Sequence, residues 1–337
     1  MKPEDRHRAA DAGSETAARR AGRGRLATVR ADFFLDPAER LNEQERALMT
    51  AMLHCLVVEI ADTIRAALPD RRVPTGDAAD QRLVERLLAA GLLDDPPLIA
   101  TLLRRADEER ISLAASARSS RSGARLLQGL VGHDSGPVSA AAMALILARG
   151  RRRDRYGQCL LAFDDLDHDT ATMLARRIAA ALRAETGIEN GDLVDAAART
   201  ITAHEPAQSA AALTRALVNV LPAGDDILLA AASEGEVLLL AEALALKAGL
   251  PGAVAEEELL SGNTNALMLL FRLASLPRPV AAGILAAVGD LLGVRDPAAA
   301  MAQFESLADA ALQAHHRLLS SPADYRAALA AMGADRG

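Results

Sequence analysis

Apolar residues recur at helical spacing over most of the chain, and the longest such stripe lies near its beginning. The stripe predicts one helix from Asn42 to Leu68, with an apolar residue at every fourth position: Leu48, Met52, Leu56, Ile60 and Ile64. Between Met52 and Ile60 this helix is apolar on nearly all sides, which is typical of a central bundle helix or a subunit interface. A homodimer through this helix is therefore one expected arrangement.

A second pattern, in which a Leu-Pro corner joins two helices, occurs three times between Leu221 and Leu292. The corners are Leu221-Pro222, Leu250-Pro251 and Leu276-Pro277. A repeat period of about 20 to 50 residues is the signature of stacked helical units. Because the predicted connections are only a few residues long, consecutive helices should pack antiparallel. The pattern predicts an all-α fold of antiparallel helical hairpins, stacked as a HEAT-like solenoid or superhelix.

Several predicted helix starts combine a capping residue with proline. The Asp or Ser side chain can accept from a free N–H of the first turn, and proline has no N–H to leave unpaired there. The device occurs at four places: Asp36-Pro37, Asp95-Pro96, Asp296-Pro297 and Ser321-Pro322. We expect the third of these to begin one long helix that continues to Leu319.

Composition favours the same fold class. Half of the 337 residues are apolar, but only 2% are aromatic and none is Trp. The apolar residues are mostly Ala and Leu, which favour helices over strands. A chain of this length corresponds to two domains or one elongated array. We predict a disordered or partly helical tail at 1–31, an N-terminal helical subdomain at 32–149, an Arg-rich joint at 150–155 and a helical-repeat array at 156–333.

Charge is distributed unevenly along the chain, although its net value is only -7. The band from Arg104 to Arg155 has eleven basic and five acidic residues, whereas the stretch from Asp225 to Glu258 has eight acidic residues and one Lys. Such segregation could provide electrostatic complementarity to a partner protein. The candidate interaction surface takes five acidic and five basic residues from these stretches: Asp225, Asp226, Glu256, Glu257, Glu258, Arg149, Arg151, Arg152, Arg153 and Arg155.

The Arg104–Arg155 band also supports a competing interpretation, the binding of a nucleic-acid backbone. Clustered cations bind phosphates. However, the chain is acidic overall, and the only aromatic residue near the band is Tyr156 at its edge, whereas single-strand binding relies on aromatic platforms. Nucleic acid is therefore the less favoured partner, and residues 150–155 are expected to form a solvated joint.

A polar cluster from Asp164 to Asp169 contains four Asp residues and His168. Carboxylates with one imidazole could ligate a divalent metal and serve a metal-dependent enzyme. The cluster also stands where a helix begins, and acidic residues there cap free N–H groups and complement the helix dipole. Capping is the favoured interpretation, so we assign no catalytic, cofactor-binding or metal-binding residue and expect no cofactor.

The cysteines and the apolar runs bear on cellular location. Cys55 and Cys159 lie far apart within apolar runs, which predicts two buried free thiols rather than a disulfide framework or a zinc site. The chain is charged from Lys2 onward and lacks the apolar core of a signal peptide. The longest uninterrupted apolar run, Ala140 to Ala148, is far shorter than the ~20 residues of a membrane helix. A cytoplasmic location is predicted.

Two segments carry a family resemblance. One runs from Arg155 to Leu166 (RYGQCLLAFDDL) and leads into a helix that ends near Arg183; the other, LKAGLP, runs from Leu246 to Pro251. Together they resemble an uncharacterised, mainly alphaproteobacterial family of helical-repeat proteins, known only as a domain of unknown function. The resemblance extends over roughly Phe33 to Leu292, but where that family often has Leu-Pro after the acidic pair, this chain has Leu166-Asp167. The resemblance implies a HEAT-like stack and supplies no catalytic residues.

Helical repeats without a converging catalytic set predict a non-enzymatic protein. Stacked repeats form extended surfaces that bind other proteins. The predicted function is therefore a protein–protein interaction scaffold or regulator. Backbone-type nucleic-acid binding is the first alternative, and a metal-dependent enzyme that uses the Asp164–Asp169 cluster is the second.

Overall fold

A computed structural model describes residues 43–68, 74–118, 125–186, 190–222 and 224–334. Within these ranges the regular secondary structure is helical. One isolated antiparallel bridge joins Arg153 and Cys159. Residues from Ala47 onward form one compact unit. The all-α fold class is confirmed for this part of the chain. The predicted tail at 1–31 and the helix start at Asp36-Pro37 lie outside the described residues.

Sixteen α-helices follow one another in these ranges. Helices α1 to α5 are Glu43–Ala67, Asp77–Ala89, Pro96–Arg118, Arg125–Val131 and Gly136–Arg151. Helices α6 to α11 are His168–Thr186, Asn190–Thr202, Ala210–Val220, Asp225–Glu234, Val237–Ala248 and Gly252–Leu260. Helices α12 to α16 are Thr264–Leu273, Arg278–Val288, Pro297–Ser306, Asp309–Leu319 and Ala323–Ala334. Three short 3₁₀ helices lie between them, at Leu92–Asp94, Phe163–Asp165 and Pro206–Gln208.

The predicted proline-linked helix starts are confirmed at two positions in full. The Asp95 carboxylate accepts from the Leu98 N–H at 3.0 Å, and the Asp296 carboxylate accepts from two first-turn N–H groups at 3.0 and 2.9 Å. A helix also follows Ser321-Pro322, but the Ser321 hydroxyl donates back to the preceding turn instead of capping. Asp therefore caps as predicted, whereas Ser321 closes the helix before it.

The prediction of one helix from Pro297 to Leu319 is wrong. The chain forms two helices there, α14 and α15, because the backbone at Leu307 and Ala308 is extended, with ψ angles of 119° and 145°. Leu307 packs against the apolar core at this break. The partly buried Leu307 side chain keeps this core contact in the extended conformation that separates α14 from α15.

Two of the Leu-Pro corners share the same backbone geometry. At each, a residue in the left-handed region ends one helix: Gly249 has φ 67° and Ser275 has φ 53°. The next residue donates its N–H back into the helix, Leu250 to Ala245 at 3.0 Å and Leu276 to Phe271 at 3.1 Å. These are the hydrogen bonds of a Schellman motif. The similar sequences around these two corners therefore end a helix in the same way.

Buried apolar side chains form two clusters, each named after the helix around which it forms. The α6 core is built from α1, α2, the first half of α3, the Cys159–Leu161 segment, α6 and α7. The α10 core is built from Ile111 in the second half of α3, from α4 and α5, and from α8 to α15. Each core therefore takes residues from both sides of the predicted joint at 150–155, and the division of the core does not coincide with the predicted division of the chain.

Helix α10 lies at the centre of its core. Ten of its residues are buried, and those left more exposed are Leu246 and Lys247. It packs against α3, α8, α9, α11 and α12, which include helices far from it in sequence. A helix that is apolar on all sides gains most when neighbours surround it completely. Helix α10 is therefore the central helix of the α10 core.

Helix α1 shows where the long apolar stripe is used. Its residues Met52, Leu56, Ile60 and Ile64 are buried in the α6 core. By length and composition α1 could also span a membrane, and the bent pair α10–α11 meets the same criterion only if a bend of 118° is allowed. A helix buried in a protein core meets the same criterion, so the length and composition of α1 are weak evidence for a membrane span.

Candidate functional site

The charged segments that the sequence sets apart are brought together inside the molecule. Arg149, at the end of α5, pairs with the buried Glu236 at 2.5 Å. Arg153 forms two parallel hydrogen bonds of 2.9 Å to the buried Glu109 on α3. The basic band therefore finds much of its counter-charge within its own chain.

Arg152 is the most deeply buried member of this network, with 3% of its surface exposed. It donates twice to Asp165 at 2.7 Å, and its remaining donors reach the carbonyls of Ala148 and Gln208, both at 3.0 Å. Asp165 in turn accepts from the Ala210 N–H at 2.9 Å. The predicted solvated joint is thus wrong at Arg152, because a guanidinium whose three nitrogens are all hydrogen-bonded can be buried beside a carboxylate.

The charged network lies where the chain passes between the two cores. Helix α3 contributes Leu102 and Ala106 to the α6 core and Ile111 to the α10 core. The charged turn between them contains Arg105, Glu108 and Glu109. The segment after α5 and the segment before α8 make similar crossings, and Arg152 joins them through its bonds to Asp165 and Gln208. Charges are therefore concentrated at the crossings and apolar residues within the cores.

A buried acid, Glu256, lies next to a partly buried one, Glu108, within this network. Glu256 on α11 is almost fully buried, and its side chain is hydrogen-bonded to Glu108 on α3. Burial, together with the nearby charge of Glu108, raises the pKa of Glu256 to about 8, although Arg104 acts in the opposite direction. Arg105 pairs with Glu108 at 2.7 Å. Glu256 is therefore a proton-carrying link between helices and not part of an accessible acidic face.

Two small pockets, each lined largely by polar residues, flank Arg105 and Glu108. Their volumes are about 70 and about 80 Å³. One lies beside Arg149 and Glu236, and the other beside Glu256. Cavities of this size hold a few water molecules, which is what a buried polar network needs. They are too small for an organic substrate.

A further internal pair involves Glu242 on the central helix α10. Its carboxylate accepts two bonds from Arg215 of α8, at 2.9 and 3.2 Å. The same carboxylate lies so close to Gly252, the first residue of α11, that any side chain there would collide with it. The buried negative charge therefore sits against a helix N-terminus, where the dipole stabilises it.

The ten residues of the candidate interaction surface do not form one exposed patch. Arg152 and Glu256 are buried, and Arg149 and Arg153 are committed to internal pairs. The other six are partly or fully exposed, and three of them contact basic groups: Asp225 with Lys247 at 3.9 Å, Glu257 with Arg326 at 3.8 Å and Glu258 with His315 at 3.1 Å. Arg151, Arg155 and Asp226 are exposed, and Arg155 stacks on the exposed ring of Tyr156. The Arg149–Glu236 pair joins the basic band to the acidic stretch, whereas the other ion pairs of the candidate surface use residues outside the opposite segment.

The acidic residues of the Asp164–Asp169 cluster serve separate local structures. The Asp164 carboxylate accepts from the Glu205 N–H at 2.9 Å, and Asp165 binds Arg152. Asp167 accepts from the N–H and the hydroxyl of Thr170; these bonds lower its pKa although partial burial acts against them. Among the described residues, no three acidic, His or Cys side chains are grouped so that they could hold a metal ion.

The two cysteines have different environments. Cys159 is buried as predicted, and burial raises the pKa of its thiol to about 11, so the thiol stays protonated near neutral pH. Cys55 is exposed on α1, which makes the prediction of a buried thiol wrong there. It stands beside the buried apolar stripe of α1 but on the outer face of the helix.

An open apolar groove of about 500 Å³ lies between α6 and α7. Its lining is mostly small or branched apolar residues: Ala179, Ala180, Leu193, Val194, Ala197, Ala198 and Ile201. Val194 is 64% exposed, so the groove has apolar surface in contact with water. Methyl side chains along the seam leave a trough, because they fill less space than the longer residues on each side.

Three polar residues edge this groove. Arg176 and Arg183 stand on α6 and Asn190 begins α7. Both arginines are exposed, and neither has an ion pair or hydrogen bond to another residue in the described ranges. The carboxylates of α7, Asp192 and Asp195, are not among the lining residues. Among the described side chains, the edge along α6 therefore carries two positive charges.

The sequence contains a pattern from which this groove could have been predicted, although the charged segments are more prominent. Two runs of three alanines, at 179–181 and 196–198, occupy consecutive helices, and Arg176 and Arg183 stand seven positions apart on the first of these helices. Small residues on paired helices predict close packing as readily as an open trough. These outcomes are distinguished by the groove that the described residues leave open along α6 and α7.

No family model, curated protein or solved structure matches this chain. What bears on function is therefore the geometry of the fold and of the groove. The resemblance to the helical-repeat family stays a prediction.

Proposed function

We propose that this protein is a non-enzymatic interaction protein and that the groove between α6 and α7 binds a helix of a partner protein. The observation that carries the proposal is the open apolar groove of about 500 Å³, in which Val194 is exposed. Exposed apolar patches on soluble proteins commonly mark interaction sites. The partner would bury surface that now faces water.

A helix suits this groove better than an extended segment. Helices α6 and α7 pack against each other, and their inner sides are buried in the α6 core. Their outer seam therefore resembles the position that a third helix takes in a helical bundle. A helix has a diameter of about 10 Å, and alanine methyls allow its backbone to approach closely. Recognition would use the helix-in-groove mode, with apolar anchors at i, i+3, i+4 and i+7.

The finer architecture remains part of the proposal. Stacking of hairpins as a HEAT-like solenoid is favoured by consecutive helices that pack on each other, such as α4 with α5 and α6 with α7. The enclosure of α10 by five helices is more typical of a bundle. A cytoplasmic location and a homodimer through the Asn42–Leu68 helix likewise stay predictions; the apolar stripe of that helix is occupied by its own core.

The two alternative functions have less support. Phosphate binding by the Arg-rich segment requires free cations, but Arg149, Arg152 and Arg153 are paired with acids. A metal-dependent enzyme based on Asp164–Asp169 requires converging ligands, but these carboxylates bind separate partners. Binding of a partner in an apolar groove requires neither free cations nor converging metal ligands.

The proposal is tested by placing a charge in the groove. Peptides of about 16 residues, long enough for a marginal helix, are selected from a displayed random library on the whole protein. We expect the selected peptides to carry a helical apolar stripe and to lose at least tenfold in affinity for Val194→Asp, because burying an unpaired carboxylate is costly. Binding is measured by fluorescence anisotropy.

Leu147→Asp provides the matched control, because Leu147 is a similarly exposed apolar residue on α5, away from the groove. It should retain wild-type affinity, and both variants should show wild-type thermal melting. Equal affinities of wild type and Val194→Asp would contradict the proposal. A change of the wild type from dimer to monomer on Val194→Asp, seen by sedimentation, would also contradict it, because the groove would then hold a second copy of the chain.

A further inference from the structure

The groove between α6 and α7 has chemical polarity as well as shape. One of its edges carries Arg176 and Arg183, which have no partner among the described residues. Among the described residues other arginines are paired with acids, as Arg152 is with Asp165 and Arg215 with Glu242, whereas Arg151 and Arg155 are exposed outside the groove. Two unpaired guanidinium groups beside an apolar trough are therefore available to an incoming ligand.

The spacing of these arginines defines the ligand further. Residues seven apart on a helix lie on the same face and about 10.5 Å apart along the axis. A second helix that lies along the seam presents its own i and i+7 side chains at the same separation. Two carboxylates at this spacing would face Arg176 and Arg183 while an adjacent apolar stripe contacts Val194. Arginine forks pair with carboxylates bidentately, so the match is geometric as well as electrostatic.

We infer that the segment bound in this groove is an acidic amphipathic helix of another protein, with carboxylates about two turns apart beside its apolar stripe. This inference rests on the proposed function and names the chemistry of its partner. The trough is concave, so a convex helix fills it, whereas a flat anionic bilayer would touch the arginines and leave the apolar floor empty. Charge complementarity at the edge would set the specificity, and the apolar floor would supply much of the affinity.

Three synthetic helices test the inference. They share one apolar stripe and differ at two positions seven apart, which carry Glu, Gln or Lys. Titrated by fluorescence anisotropy against the whole protein, the Glu helix should bind about tenfold more tightly than the Gln helix, and the Lys helix more weakly than both. The preference should shrink as salt rises from about 50 to about 300 mM, because exposed pairs are screened.

Substitution of the two arginines should reverse this order. Arg176→Glu combined with Arg183→Glu is expected to prefer the Lys helix, and Arg176→Gln with Arg183→Gln is expected to bind all three alike. Arg151→Glu with Arg155→Glu is the control, because it makes the same change in net charge at exposed arginines outside the groove. It should keep the wild-type preference for the Glu helix.

The outcomes separate this inference from the function on which it rests. If the wild type binds all three helices equally and Val194→Asp abolishes that binding, the acidic partner is wrong and the interaction groove stands. If no helix binds, the proposed function itself fails. If vesicles that contain anionic lipid bind in an arginine-dependent way and no helix does, the ligand is a membrane surface and the inference is overturned.

Discussion

At the residue scale, two corners with the same hydrogen bonds differ in the residue that ends the helix. Gly249 reaches φ 67° without a side chain, whereas Ser275 holds φ 53° with one. The left-handed region costs a residue with a Cβ about 1 kcal/mol. Ser275 therefore carries backbone strain that Gly249 avoids.

Exchange of these residues should shift stability in opposite directions. We expect Ser275→Gly to raise the free energy of unfolding by about 0.5 kcal/mol and Gly249→Ser to lower it by about 1 kcal/mol. A Cβ at Gly249 would meet no atom within 4 Å, so its cost comes from the backbone alone. Urea unfolding measures both values, and a destabilised Ser275→Gly would indicate that the serine side chain makes a compensating bond.

At the scale of elements, helix α10 holds the larger core together because it has neighbours on every side. Leu244 is fully buried there, whereas Leu246, two residues further on, is 52% exposed. Both residues are leucines near the same end of α10, so they have the same helix propensity and differ in burial. The pair tests the central position of α10 directly.

We expect Leu244→Ala to lower the free energy of unfolding by about 2–5 kcal/mol, because it removes packed atoms and leaves a cavity. Leu246→Ala should change it by less than about 1 kcal/mol. Chemical denaturation followed by circular dichroism gives both values. Similar losses at both positions would mean that α10 is not enclosed by its neighbours.

At the scale of the whole molecule, a charged layer lies between two apolar cores, and Glu256 is its proton-dependent member. Burial raises its pKa from 4.5 to about 8, so the folded state binds this proton more tightly than the unfolded chain. This stabilisation is fully present below about pH 4.5 and is lost as the pH rises to about 8. Stability should therefore fall with increasing pH across this window, by up to about 1.4 kcal/mol per unit.

Glu256→Gln keeps a hydrogen-bonding side chain that does not need to bind a proton. We expect it to remove this pH slope, so that it gains stability relative to the wild type between about pH 5 and about pH 8. Glu257→Gln, at an exposed neighbouring position, should keep the wild-type slope. Urea unfolding across this range provides the measurement, and an unchanged slope in Glu256→Gln would assign the pH dependence to another group.

The same three scales show how much could be predicted from the sequence. The fold class and most helix ends are local properties, and Asp95, Asp296 and Gly249 act as their residue types predict. The candidate surface was predicted less well, because Arg152 and Glu256 proved to be buried. The order of charged residues along a chain does not show which of them will pair in the folded protein.

By itself, the sequence determined an all-α chain, the helix stops at its Leu-Pro corners and the burial of the α1 stripe, because propensity, capping and periodicity act over a few residues. Only the tertiary structure decided that Arg152 would meet Asp165, that Glu256 would meet Glu108, and that the described residues would leave the seam of α6 and α7 open. These outcomes depend on contacts between residues distant in sequence, where the cost of burying a charge is offset only by the partner that folding brings to it.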